Sequence, residues 1–403
     1  MTTLEEKLRA RIKAAGQITF AEFMEVALYD PDSGYYTSPD RISARGDFYT
    51  SPEVHPAFGA LICVQLREMW WRLDRPAPFT CIEMGAGRGR LMRDITGYAP
   101  LMDPDFADAL HYVTVDRAAP GQQRATHETA TSGVVLSNEL LDAFPVHRFV
   151  IEAGRVRELY VCVERNGELG LARGDPSSEV ITRRFDGLPN QLPDGFVGEV
   201  CTDLAGWANS VALSLTRGYV LTIDFGHDRA DLYAPPRSSG TLRCYWRHQE
   251  AGDPFDRIGA QDIAAHVDFT AVDEALSAAG FARVGRTSQS EFLTRLGARD
   301  LVRRVYESKG SRSERERHRS GILELIRPTG LGGFRVVAHG RGVDPEQTLA
   351  GFSGSRDHTA RPVPFPEYGP DGQRIPVGEG RYPHAATEMT ATWEDLLEPP
   401  NRE

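Results

Sequence analysis

The sequence predicts an α/β fold: a doubly wound, Rossmann-like parallel sheet with a helical region in front of it and an antiparallel β insertion within it. Three observations lead there. The first is Phe79-Thr80-Cys81-Ile82, a run of strand character that passes through Glu83-Met84-Gly85-Ala86-Gly87-Arg88-Gly89 into the helix-like Arg90-Leu91-Met92-Arg93-Asp94-Ile95. Strand, glycine turn and helix in that order open a βαβ unit. The second is a set of short apolar runs that each end on a polar residue: His111 to Val115 before Asp116, Gly133 to Asn138, and Tyr219 to Asp224. Runs of this kind form strands buried on both faces of a parallel sheet. The third is a change of period between Val146 and about Gly195, where alternation such as Arg157-Glu158-Leu159-Tyr160-Val161-Cys162-Val163 signals antiparallel strands.

From the N-terminus, Thr3 with Glu6 is a capping box that starts a helix ending at Gly16, and Thr19 with Glu22 starts a second over Phe20 to Leu28. Tyr29 to Ser51 is irregular, broken by Pro31, Gly34, Pro39 and Gly46. Ser51 as N-cap and Pro52 at the first helical position predict one long helix to about Leu73. The glycine unit follows, then the insertion, with turns at Ala153-Gly154 and Asn166-Gly167. Helix returns near Thr202 to Leu215. Further helices are expected from Thr270 and over Ser288 to about Ile326, with strands at Ala282 to Arg286 and Phe334 to Ala338, the last of them antiparallel. The resulting division is a helical, lid-like region at 1–75, the first half of the sheet domain at 76–145, the insertion at 146–200 and the second half of the domain at 201–342. A Pro- and Gly-rich tail at 343–403 is expected to be poorly ordered or packed on the surface.

Composition narrows the partners. A net charge of −11 gives no reason to expect nucleic acid or an anionic membrane, and no apolar stretch approaches the roughly 20 residues that span a bilayer. The five cysteines are scattered, without metal-ligand spacing, so no metal is expected and the thiols fit a reducing, cytoplasmic setting. Glu5 and Glu6, with no apolar segment beside them, argue against a secretory or transit signal.

The glycine loop identifies a ligand class. Gly85, Gly87 and Gly89 allow a sharp turn and close approach of a ligand. Their spacing is G-x-G-x-G, whereas a dinucleotide site has G-x-G-x-x-G, and Glu83 would repel a pyrophosphate. An acid ahead of the loop suits S-adenosyl-L-methionine, whose amino group and sulfonium are both positive. Asp116, at the end of the next strand, has the chemistry to accept both ribose hydroxyls. Asn138-Glu139 and Asp224-Phe225-Gly226-His227 fall on the same carboxyl edge of the sheet.

Several segments in chain order resemble the MidA family, bacterial relatives of the mitochondrial complex I assembly methyltransferases. They are Gly34-Tyr35-Tyr36, Gly46-Asp47-Phe48-Tyr49-Thr50-Ser51-Pro52-Glu53, Glu83 to Gly89, Ser137 to Val146, Asp224 to His227, Gly240-Thr241-Leu242 and His266-Val267-Asp268-Phe269. Ala86 and Ala264 depart from the family's usual Pro and Thr, and the tail after Gly342 has no counterpart. The resemblance implies a class I methyltransferase sheet that binds S-adenosyl-L-methionine through Glu83, Gly85, Gly87, Gly89, Asp116 and Asn138. Because mitochondrial members methylate an arginine side chain, it also implies a protein, peptide or small-molecule acceptor bearing a guanidino group. For such an acceptor the catalytic candidates are Glu139 and Asp142, with His266 and Asp268 from the other side, and Tyr35, Tyr36, Asp47, Asp224 and His227 are candidates for acceptor binding. Against these stand plainer readings of Asp142 and Asp268 as helix caps and of Tyr36 as a core residue. A small-molecule N- or O-methyltransferase and a non-catalytic assembly factor that kept the fold are the alternatives, and a homodimer is compatible with the sequence.

Overall fold

The computed structural model describes residues 3–37, 50–116, 131–186, 188, 191–247, 249–307 and 311–353. Both expected capping boxes are present. Thr3 accepts the Glu6 N–H at 3.2 Å while Glu6 accepts the Thr3 N–H at 2.7 Å, which starts α1 (Leu4–Ala15). Thr19 and Glu22 do the same for α2 (Phe20–Tyr29), which follows the two-residue strand β1 (Ile18–Thr19). The single long helix expected from Ser51 is instead two, α3 (Ser51–Val54), N-capped by Thr50, and α4 (Ala57–Arg72). The break is at His55-Pro56. Proline disfavours helical backbone in the residue before it, and His55 is extended at φ −159°, ψ 139°.

The sheet domain then begins with β2 (Phe79–Met84), α5 (Arg90–Met102), α6 (Pro104–Ala109), β3 (Leu110–Val115) and β4 (Thr131–Asn138). The insertion adds β5 (Val146–Glu152), β6 (Arg155–Val163), β7 (Leu169–Gly174), the short α7 (Glu179–Arg183) and β8 (Val197–Cys201). After it come α8 (Leu204–Ser214), β9 (Leu215–Asp224), β10 (Gly226–His227), α9 (Arg229–Leu232), β11 (Arg243–Trp246), β12 (Gln249–Ala251), β13 (Asp262–Ala264) and β14 (Val267–Asp268). The chain continues through α10 (Phe269–Ala278), β15 (Ala282–Ser288), α11 (Gln289–Leu296), α12 (Ala298–Glu307), α13 (Arg312–Ile326), β16 (Arg335–Arg341) and α14 (Ala350–Ser353).

The main sheet has the order β15-β16-β9-β4-β2-β3. Strands β3, β2, β4 and β9 are parallel, and β16 is antiparallel to both β9 and β15, as the sequence led us to expect. Glycines let the central strands sit at close range: a Cβ on Gly133 would lie 1.9 Å from the Thr80 carbonyl oxygen. Helices α4, α5 and α11 to α13 contribute to one large apolar core, while α8 and α10 cover the other face around Val135, Val220 and Val337. The chain leaves β2 on one side to form β3 and returns on the other to form β4. The carboxyl ends of β2 and β4 therefore flank a switch point, the place where such sheets bind ligands.

The insertion is antiparallel, and it recruits β1 from the N-terminal region, which pairs with β6. Phe20, Phe23, Val146, Val161 and Ile263 share one core, so the N-terminal helices, the insertion and β13 pack as a unit beside the main sheet. Within the stretch expected to be a tail, residues 349–352 are packed against the main core. Leu349 and Phe352 are buried, the Phe352 ring lies 5.2 Å from Phe292, and the Gly351 N–H donates to Gln65 at 3.0 Å. Residues 354–403 lie outside the described residues. Among the described residues no helix is long and apolar enough to cross a membrane.

Candidate active site

The glycine loop closes on itself after β2. Gly85, Gly87 and Gly89 have φ of 77°, 51° and 68°, values that favour glycine. The Gly85 N–H donates to the Val115 carbonyl and the Gly89 N–H to the Ala86 carbonyl, both at 2.8 Å. Asp116 accepts the Gly87 N–H at 2.8 Å, which ties the loop to the end of β3. Glu83 is buried and accepts the Tyr112 hydroxyl at 3.0 Å. Burial pushes its carboxyl up to about 7 and the neighbouring Asp116 adds to that, so a cation placed here relieves both effects.

A second group of acids follows β4. Glu139 is the residue at which the chain turns off the strand, with φ of 52°. Its Oε1 accepts the Ser51 N–H and the Asn138 side-chain amide, each at 2.9 Å, whereas Oε2 is buried without a partner. Burial pushes this carboxyl up to about 8, opposed by those two hydrogen bonds and assisted by Asp224 and Asp262. Asp142 lies in the same turn and is held well above the usual carboxylate range by burial and by Asp224, Asp262 and Glu139. No described helix starts at Asp142, so the cap reading does not apply to it.

The other expected residues fall into different roles. Asp224 is wholly buried, and its carboxylate accepts the N–H groups of Leu140 at 3.1 Å, Leu141 at 2.8 Å and Phe225 at 2.9 Å. It shapes the Glu139 turn and is not placed to grip an acceptor. Asp268 is the N-cap of α10, accepting the Ala271 N–H at 3.0 Å, and pairs with Arg184 at 3.1 Å and Arg229 at 3.3 Å. Two arginines and a cap occupy its oxygens, so the helix-cap reading describes it and a catalytic role does not. His266 and His227 have ring centroids 5.2 Å apart, and His266 is 4.3 Å from Phe225. Burial pulls both imidazoles down, to about 3 and about 4, so they are neutral at physiological pH. Tyr35 is a core side chain, 2 % exposed, that meets Tyr36 edge-on at 5.1 Å. Tyr36 donates its hydroxyl to Asp262 at 2.8 Å, which places it beside the acids. Asp47 lies outside the described residues.

Three residues absent from the sequence-based site belong to it. Ser51 supplies the N–H that holds Glu139, and Glu53 pairs with Arg90, the first residue of α5 after the glycine loop. Both lie in a segment already singled out for its resemblance, which was the available signal. Asp262 opens the run from Asp262 to Phe269 in which Ala264 departs from the family's usual Thr, which was its signal, but that run also reads as a turn leading into a helix.

The residues that follow the paired strands β2 and β4 fit S-adenosyl-L-methionine: Glu83 and Asp116 suit its cationic groups and ribose hydroxyls, and Asn138 is buried at the end of β4 with its Oδ1 unpartnered. Among the described residues no group of His, Cys, Asp or Glu is arranged to hold a metal.

Residues 61–287 match the family model of S-adenosyl-L-methionine-dependent methyltransferases. The chain is 26% identical over 387 residues to the protein arginine methyltransferase NDUFAF7 homologue of Drosophila melanogaster, covering 85% of each protein. It is 26% identical over 402 residues to the mitochondrial NDUFAF7 of Mus musculus, covering 89% of this chain and 88% of that one. A COG1565 superfamily member from Burkholderia thailandensis, solved with S-adenosyl-homocysteine bound, superimposes with a TM-score of 0.76 at 30% identity, covering 88% of this chain and 96% of the other.

Proposed function

We propose that this chain, which belongs to the family of S-adenosyl-L-methionine-dependent methyltransferases, methylates a guanidino nitrogen of an arginine side chain in a protein or peptide. The observation that carries this reading is Glu139: a carboxylate with one oxygen tied down, the other buried and unpartnered, and further carboxylates around it. Such a group is short of a cation with several N–H donors, and a guanidinium has five. The names of the relatives and the acidic balance of the chain support a protein acceptor in preference to nucleic acid. Free thiols at all five cysteines support a reducing compartment such as the cytoplasm.

S-adenosyl-L-methionine supplies a methyl group already activated by its sulfonium. The protein has to orient the acceptor and manage its proton. A guanidinium is so strongly basic that deprotonation at pH 7 costs about 9 kcal/mol, so no side chain removes the proton fully in advance. Carboxylates that bind the guanidinium keep its attacking nitrogen oriented and leave an acceptor for the N–H proton as the new N–C bond forms. Glu139 has the unpartnered oxygen for this, and its burial, which favours the protonated carboxyl, helps it hold the proton before passing it to water. The arriving cation also lowers that value, so the carboxyl ionises as the acceptor binds.

Glu139→Gln keeps the shape and loses the base. Calorimetry with S-adenosyl-homocysteine should give an affinity within about twofold of wild type, while turnover falls roughly 100-fold or more. Normal methylation by the variant would overturn the assignment of Glu139.

A further inference from the structure

We propose that Asp262 is the second carboxylate that binds the acceptor's guanidinium alongside Glu139, and that Tyr36 is the positioning residue that holds it. This rests on the arginine reading above. A guanidinium is gripped firmly when two oxygens face its fork of N–H groups. Glu139 offers one, because its Oε1 is committed to Ser51 and Asn138. A further acceptor has to come from a neighbouring acid, of which Asp142 in the same turn is one and Asp262 another. Asp224 spends its carboxylate on three backbone N–H groups and Asp268 is taken by two arginines and a helix N-terminus.

Asp262 is different in origin and support. It begins β13, in the small sheet β12-β11-β13, opposite Tyr245. It is 5 % exposed and accepts the Tyr36 hydroxyl at 2.8 Å. The Tyr36 ring stacks on Tyr29 at 5.5 Å, and the Tyr29 hydroxyl donates to the Ala143 carbonyl at 3.0 Å, in the turn that carries Glu139 and Asp142. The N-terminal segment is thus a bracket with one tyrosine on each side, fixing β13 against the turn after β4. The Asp262 charge is also felt at Glu139, Asp142 and Tyr36, as it would be if these groups faced a common ligand.

The test uses the full chain loaded with S-adenosyl-homocysteine and two probes, a blocked Gly-Arg-Gly tripeptide and the same peptide with citrulline, which has the shape without the charge. Wild type should bind the arginine peptide in preference to the citrulline one. Asp262→Asn should lose about tenfold or more in arginine affinity and most of that preference, with S-adenosyl-homocysteine affinity unchanged. Tyr36→Phe removes one hydroxyl, and should show a smaller loss in the same direction, seen in steady-state methylation as a raised KM at nearly constant kcat. It carries the test if Asp262→Asn fails to fold. If both variants bind the arginine peptide like wild type while Glu139→Gln does not, Asp262 and Tyr36 have no such role and the arginine reading survives. If wild type itself binds neither peptide, that reading fails and this assignment with it.

Discussion

Glu139 holds a left-handed backbone conformation that costs a non-glycine residue about 1–2 kcal/mol. Its partners show what maintains it: Asp224 fixes the following two N–H groups, and Ser51 fixes the carboxylate. The price in stability depends on pH. The Glu139 carboxyl is raised in the folded protein, so protonation favours the fold. Its contribution is fully present below the ordinary glutamate range and is lost as pH rises through about 8. Glutamine cannot ionise. We therefore expect Glu139→Gln to gain melting temperature relative to wild type as pH goes from 5 to 9, with little difference at the acid end; a difference that stays flat would mean the carboxyl is not raised. At this scale Glu83, Asp116, Glu139 and Asp142 were legible, because each ends or follows a recognisable strand. Asp262 was legible only as the start of a cluster with His266 and Asp268, since a three-residue strand in a small side sheet leaves no period to read.

Among elements, α10 shows how a residue can look catalytic and be structural. His266 and Asp268 sit two apart beside a resembling segment, yet Asp268 starts α10 and is paired with Arg184 from the insertion and Arg229 from α9. Asp268→Ala removes a cap and leaves two arginines short of a partner, so it should destabilise by about 2–4 kcal/mol in denaturant unfolding. The variant should still methylate at a temperature where it is folded; loss of kcat with unchanged stability would return Asp268 to the catalytic group. The break between α3 and α4 was missed for a related reason. Ser51-Pro52 is a strong start signal, but Pro56 ends what it starts, and the short α3 that results presents Ser51 to Glu139 and Glu53 to Arg90.

The described residues form the main sheet with its helices and, beside it, the N-terminal helices packed with the insertion and β13; Tyr29 ties this second unit to the turn that carries Glu139 and Asp142, and Tyr36 binds Asp262 within it. The parallel strands, the antiparallel last strand and the insertion were legible because period and run length differ between them. The recruitment of Ile18-Thr19 into the insertion was not, because nothing local marks a two-residue strand whose partner lies at Tyr160-Val161. The same N-terminal unit carries Tyr29 and Tyr36, whose hydroxyls reach the Ala143 carbonyl and Asp262. The most direct measurement is tandem mass spectrometry of proteins incubated with this enzyme and methyl-deuterated S-adenosyl-L-methionine. Label should appear on arginine guanidino nitrogens and disappear with Glu139→Gln; label carried instead on lysine, oxygen or carbon would contradict the account.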